Sequence, residues 1–212
     1  MAAGTVFLDE WAALIHDLDE VDPMAASRLG AGLLERHREP QRSYHTAEHV
    51  EAVIRHLHSL AMATPATLFA AFFHDAIYEP TAADNEEASA QLAERELTTL
   101  GVATPLIHEV AAIVRATAGH LLPPNASDET AAFLDADLAI LGADVETYQR
   151  FYVAGVRREY AHMPDSDFRS GRAAILESFL ERPVLYFTDE GRRRWEGPAR
   201  ANLRSEIAEL RS

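Results

Sequence analysis

Residues 64–80 read Thr-Pro-Ala-Thr-Leu-Phe-Ala-Ala-Phe-Phe-His-Asp-Ala-Ile-Tyr-Glu-Pro. Thr64–Pro65 is a helix start, a hydroxyl cap followed by proline at the first helical position. The segment Leu68–Tyr78 that follows is apolar on nearly every side, as a helix buried all round must be. Glu79–Pro80 ends it, because proline cannot continue a helix. The apolar stretch itself is far shorter than the roughly 20 residues that cross a bilayer. It therefore predicts a core helix. At the end of this run stand His74 and Asp75. A buried ionised carboxylate is costly without a partner, so this pair calls for an explanation.

Outward from here the chain keeps a helical period. Phe7, Trp11, Leu14 and Ile15 mark one face of a first helix. Asp22–Pro23 opens a second, to about Glu35. Val50, Val53, Ile54 and Leu57 form another stripe. Asp84 and Glu87 have capping-box spacing before Ala88–Leu100, which Gly101 closes. Thr104–Pro105 opens a helix to about Ala118. Ala131–Leu141, Val145–Tyr160 and Phe168–Leu180 follow, and a charged helix over Asp189–Leu210 carries Gly197–Pro198 in its middle. Val184–Phe187 is the one short strand candidate. The expectation is an all-α chain, a single domain over 1–212 with about eight to ten helices.

Composition narrows the function classes. The 212 residues hold 19 basic and 34 acidic side chains, for a net charge of −15. All 19 basic residues are arginine. There is no cysteine, which excludes disulfides, thiolate zinc sites and iron–sulfur clusters and suits a cytoplasmic protein. The acid excess argues against extended nucleic-acid binding and against anionic membranes. The first residues, Met-Ala-Ala-Gly-Thr-Val-Phe-Leu-Asp-Glu-Trp, lack the cationic start of a secretory signal.

Imidazoles and carboxylates cluster in three apolar frames: Tyr44-His45-Thr46-Ala47-Glu48-His49, Phe73-His74-Asp75, and Leu134-Asp135-Ala136-Asp137-Leu138. His45 and His49 are four apart and would share one face of a helix. Asp135 and Asp137 lie about 200° apart around a helix, so only one of them can face a given point. A metal ion explains acids and imidazoles together. Such ligands suit Zn, Fe, Mn, Ni, Co or Mg, and two histidines with two carboxylates leave positions open for water and substrate.

In this order the motifs resemble the HD superfamily of metal-dependent phosphohydrolases, and more closely a bacterial branch of small stand-alone HD proteins. That branch is similar at Tyr44-His45-x-x-x-His49, Phe73-His74-Asp75-x-x-Tyr78, Asn85-Glu86-x-x-Ser89-Ala90 and Leu134–Leu138. Further matches are Arg157-Arg158-Glu159-Tyr160, Gly171-Arg172 and Ala199-Arg200-Ala201-Asn202-Leu203. The resemblance implies an HD-domain helical bundle with His49, His74, Asp75 and Asp137 as ligands of one divalent ion, or of two. Asp137 rather than Asp135 fits the family's frame. The first motif is similar to the one that opens cyclic-nucleotide phosphodiesterase sites, which makes His45 the proton donor, although Thr46 stands where those enzymes have Asn.

The implied activity is hydrolysis of a small phosphate ester, a nucleotide or related compound, by metal-activated water. Asp75 or Glu86 would orient that water. His120 is the candidate for substrate contact or a second metal. Arg157 and Glu159 read as a structural ion pair, with phosphate binding by Arg157 as the other role. Two rivals belong to other classes: an HD-fold diiron oxygenase, for which only His108 and His120 are extra histidines, and a non-catalytic nucleotide-binding module. The chain is expected to act as a monomer or homodimer.

Overall fold

The computed structural model describes residues 4–16, 18 and 21–212; residues 1–3, 17, 19 and 20 fall outside it. The helices are α1 Thr5–His16, α2 Pro23–Arg36, α3 Ala47–Ser59, α4 Pro65–Phe73, α5 Asn85–Leu100, α6 Thr104–Ala116 and α7 Asp128–Asp137. A 3₁₀ segment, Leu138–Gly142, follows. Next come α8 over 145–159, with a π-helical middle at Tyr148–Val153, and α9, Asp165–Leu180. The last is α10 over 189–211, which contains the π-helical turn Arg192–Glu196. The chain is 71% helix, with no strand among the described residues, so the all-α expectation holds.

Two hydrophobic clusters organise these helices. The first joins α1 to α7 around Phe7, Trp11, Phe69, Phe72 and Phe73. Phe72 meets Phe7 and Trp11 edge-on, at 4.8 and 5.1 Å between ring centres, an arrangement that adds to simple area burial. The second cluster joins the 3₁₀ segment, α8, α9 and α10 around Leu141, Tyr148, Leu176, Tyr186 and Leu203. Trp195 is buried there and Ile207 and Leu210 pack against it, so α10 covers the chain's own core.

The structure corrects the sequence reading in three places. Helix α4 stops at Phe73, well before the expected end at Tyr78. The buried guanidinium of Arg42 donates to the Asp75 carbonyl at 2.7 Å and to the Ala76 carbonyl at 3.3 Å. The Ser89 hydroxyl serves the Ile77 N–H and C=O. Side chains thus satisfy backbone groups that a helix would otherwise pair, as burial demands. The strand candidate 184–187 is irregular. Its amides at Leu185 and Tyr186 go to Glu196 and that of Phe187 goes to Asp135, not to a ladder. The capping box at Asp84 does not form. Glu87 pairs with Arg115 instead, and Asn85 bonds both backbone groups of Glu79.

Candidate metal centre

Four side chains meet where the first cluster ends. His49 comes from the first turns of α3, and His74 caps α4. Asp75 sits in the turn that Arg42 holds, and Asp137 is the last residue of α7. The two imidazole Nε2 atoms are 3.1 Å apart. Asp75 Oδ2 is 3.0 Å from His74 Nε2 and 3.6 Å from His49 Nε2. Asp137 Oδ1 is 3.0 Å from His49 Nε2 and 3.6 Å from His74 Nε2.

These residues fit a metal ion. Nitrogen and oxygen ligands sit about 2.1 Å from zinc-like ions, so neighbouring donors stand roughly 3.0–3.4 Å apart around one ion. His49, His74 and Asp75 offer ligand atoms that all lie within 4.8 Å of one another. The His74 Nδ1 faces the Ala71 carbonyl at 3.0 Å. A proton on Nδ1 makes that bond and turns the Nε2 lone pair to the centre, the usual outer support of a ligating imidazole. Without an ion, the two carboxylates are balanced by a proton on the imidazole. Burial works against a charged His74, yet Asp75 and Asp137 raise it to about 9. Burial likewise opposes ionisation of Asp75 and Asp137, but His74 and its neighbours hold both well below the usual carboxylate range.

Asp135 faces away. Its oxygens accept from the Phe187 amide at 2.6 Å and from the Thr188 amide and hydroxyl at 2.8 and 2.6 Å. The choice left open between Asp135 and Asp137 thus falls on Asp137 as the residue that meets the two histidines. His120, whose φ of +44° is unusual for a residue other than glycine, brings Nε2 within 2.8 Å of Asp137 Oδ2.

His45 does not share a helical face with His49. Helix α3 begins only at Ala47, and His45 lies in the turn before it. That turn is held by Glu159 of α8. Glu159 Oε1 accepts the amides of Ser43, Tyr44 and His45 at 2.7, 2.8 and 3.0 Å. Its Oε2 takes His45 Nδ1 at 2.7 Å and the Tyr78 hydroxyl at 2.8 Å. Burial opposes ionisation of Glu159, but the bonds from His45, Ser43 and Tyr44 outweigh it and hold the carboxyl at about 2. Gly155 makes this approach possible, because a Cβ there would come within 2.9 Å of the Tyr44 Cβ.

The expected Arg157–Glu159 ion pair is not formed. Arg157 stacks over Phe168 and reaches Asp165 and the Tyr160 carbonyl, away from the centre. Two residues apart on a helix they point to different sides, a sequence signal against pairing. His108 is exposed on α6, which leaves His120 as the one extra histidine of that interval at the centre. Glu86, half-buried, lines a cavity of about 250 Å³ together with His45, Asp75, Tyr78, His120 and Tyr160. A second cavity, of about 380 Å³, shares His49 and Asp137 with it.

Comparison with protein-family models, curated proteins and solved structures gives no match. The helical fold and the His/His/Asp cluster are compatible with an HD domain. No helix among the described residues is long and apolar enough to cross a membrane.

Proposed function

We propose that this chain is a metal-dependent hydrolase of a small phosphate ester, a nucleotide or related compound. One observation carries the reading: His49, His74 and Asp75 converge, with Asp137 3.0 Å from His49, beside a histidine whose ring is held by a buried carboxylate. His49, His74, Asp75 and Asp137 are the residues that would hold the ion. A divalent ion bound there supplies Lewis acidity toward the phosphoryl group and acidifies water.

The protein's own groups would do the rest. With Nδ1 donating to Glu159, His45 leaves Nε2 for the chamber that Asp75 also lines. Burial disfavours the charged ring, but Asp75 and Glu159 outweigh it and raise the His45 pKa. The shift favours the protonated ring, which would deliver its proton to a leaving oxygen. The Glu86 carboxylate makes no hydrogen bond to another described residue; it lines the same chamber and would orient water there. His120 steadies Asp137, whose other oxygen faces His49 and His74.

The test crosses Mn, Mg, Co, Ni, Fe and Zn with nucleotides and generic phosphate esters. Phosphate release that depends on added metal and disappears in Asp75→Ala is expected. An inert, metal-replete protein across the whole panel would overturn the reading.

A further inference from the structure

The 380 Å³ cavity lies within the size range of small-ligand sites. His49 and Asp137 form part of its wall, so it opens onto the metal centre. Two further features set it apart. The described residues include two π-helical segments, each of at least one turn, and each delivers an aromatic side chain to this one cavity. Phe151 comes from Tyr148–Val153 and Trp195 from Arg192–Glu196. Such wide turns are rare and concentrate at functional sites. Phe151 is 55% exposed, and the Arg150 guanidinium lies 5.4 Å from its ring centre; an exposed phenylalanine at a cavity mouth marks a contact surface. Trp195 is fixed, its backbone lying so close to Gly142 that a Cβ there would collide with it.

The second feature is charge. Arg55 of α3 and Arg158 of α8 line the same cavity, both exposed, and neither bonds or pairs with a carboxylate among the described residues. Apart from Asp137, the cavity's only carboxylate is Glu48.

We infer that this cavity is the subsite for the organic part of the substrate, and that this part is a planar ring carrying a second anionic group remote from the reacting phosphate. The ring lies against Phe151 and Trp195, and the second anion meets Arg55 and Arg158. This rests on the phosphoester reading for the first anionic group only; the ring and the second charge follow from the cavity itself. The two arginines also answer the long-range repulsion that a net charge of −15 exerts on any anion.

Three probes separate the elements: 4-carboxyphenyl phosphate has the ring and the second charge, phenyl phosphate the ring alone, and glycerol 2-phosphate neither. Each is titrated calorimetrically into the full chain, in chelator and again in Mg²⁺. The expected order of affinity is the order given, with about a tenfold gain from the carboxylate, as charge-assisted bonds commonly provide. Arg55→Gln and Arg158→Gln should erase that gain, Phe151→Ala the gain from the ring, and Glu48→Gln should tighten the doubly charged probe. These side chains are at the surface or the cavity wall, so the cores stay intact.

Equal affinities, no binding, or an order unchanged by the substitutions would overturn the inference. Phosphate release is read separately. The predicted order without hydrolysis under any metal keeps the subsite and sinks the phosphoester reading. Hydrolysis without the order does the reverse.

Discussion

Glu159 Oε2 and His45 Nδ1 are 2.7 Å apart although 114 residues of chain separate them. The contact joins α8 to the turn that precedes α3, and it fixes which ring nitrogen of His45 is left for chemistry. Removing the charge while keeping the shape is therefore informative. Glu159→Gln should lower the rate of phosphoester hydrolysis by about 10²-fold, the usual scale for a misplaced general acid. Metal content, measured by elemental analysis, should not change, because Glu159 touches none of the four candidate ligands. Glu159 helps raise the His45 pKa, and a proton donor is lost above its pKa. The alkaline limb of the pH–rate profile should then move to lower pH in the variant.

The same carboxyl makes a statement about acid stability. Its pKa is lowered from 4.5 to about 2 in the folded chain. A depressed carboxyl stabilises the fold fully above its unfolded value and loses that contribution as pH falls through the folded one. The stability gap between the wild type and Glu159→Gln, measured by urea unfolding, should be full above pH 4.5 and narrow toward pH 2. A gap that widens on acidification would contradict the pairing.

Metal uptake should compete with a proton. Without a metal ion, His74 is raised to about 9 by Asp75 and Asp137 against the effect of burial. Binding must displace that proton, so apparent affinity should rise with pH up to about 9. Calorimetry in buffers of different ionisation enthalpy should count proton release. His49→Ala and Asp75→Ala should lose the ion with the helical content preserved, and so should a His74→Ala/Asp137→Ala variant.

Away from the site, Arg172 of α9 and Glu206 of α10 form a buried ion pair at 2.8 Å, and the Tyr148 hydroxyl donates to the same carboxylate. Arg172→Met strands a buried charge and should cost about 3–5 kcal/mol in chemical unfolding. Adding Glu206→Leu removes the stranded charge and should restore more than half of that loss. Tyr152, which packs on both Arg172 and Tyr44, links this pair to the loop that carries His45.

Much of this was legible because it is local. The all-round apolar character of residues 64–73 announces α4, and the spacing of Asp135 and Asp137 announces that they diverge. What was hidden depends on partners far along the chain. Nothing near His45 reveals that three successive amides will be taken by Glu159, which keeps that turn out of α3. Nothing near Asp75 reveals that Arg42 will end α4 early by binding two carbonyls. Capping patterns read from spacing alone fail where a better partner exists, as Arg115 is for Glu87. The role of Glu159 had one available signal: a residue two positions from Arg157 on a helix cannot be its partner.

Asp135 and Asp137 share one turn of α7, one gripping residues 187–188 and the other facing His49 and His74. Gly191 makes that grip possible, since a Cβ there would run into the Asp135 carboxylate. The start of α10 is thereby geared to the candidate metal centre through a single turn of α7. The amides of Phe187 and Thr188 become a clock for the centre's occupancy, their deuterium exchange slowing when an ion holds α7 still and quickening when it leaves.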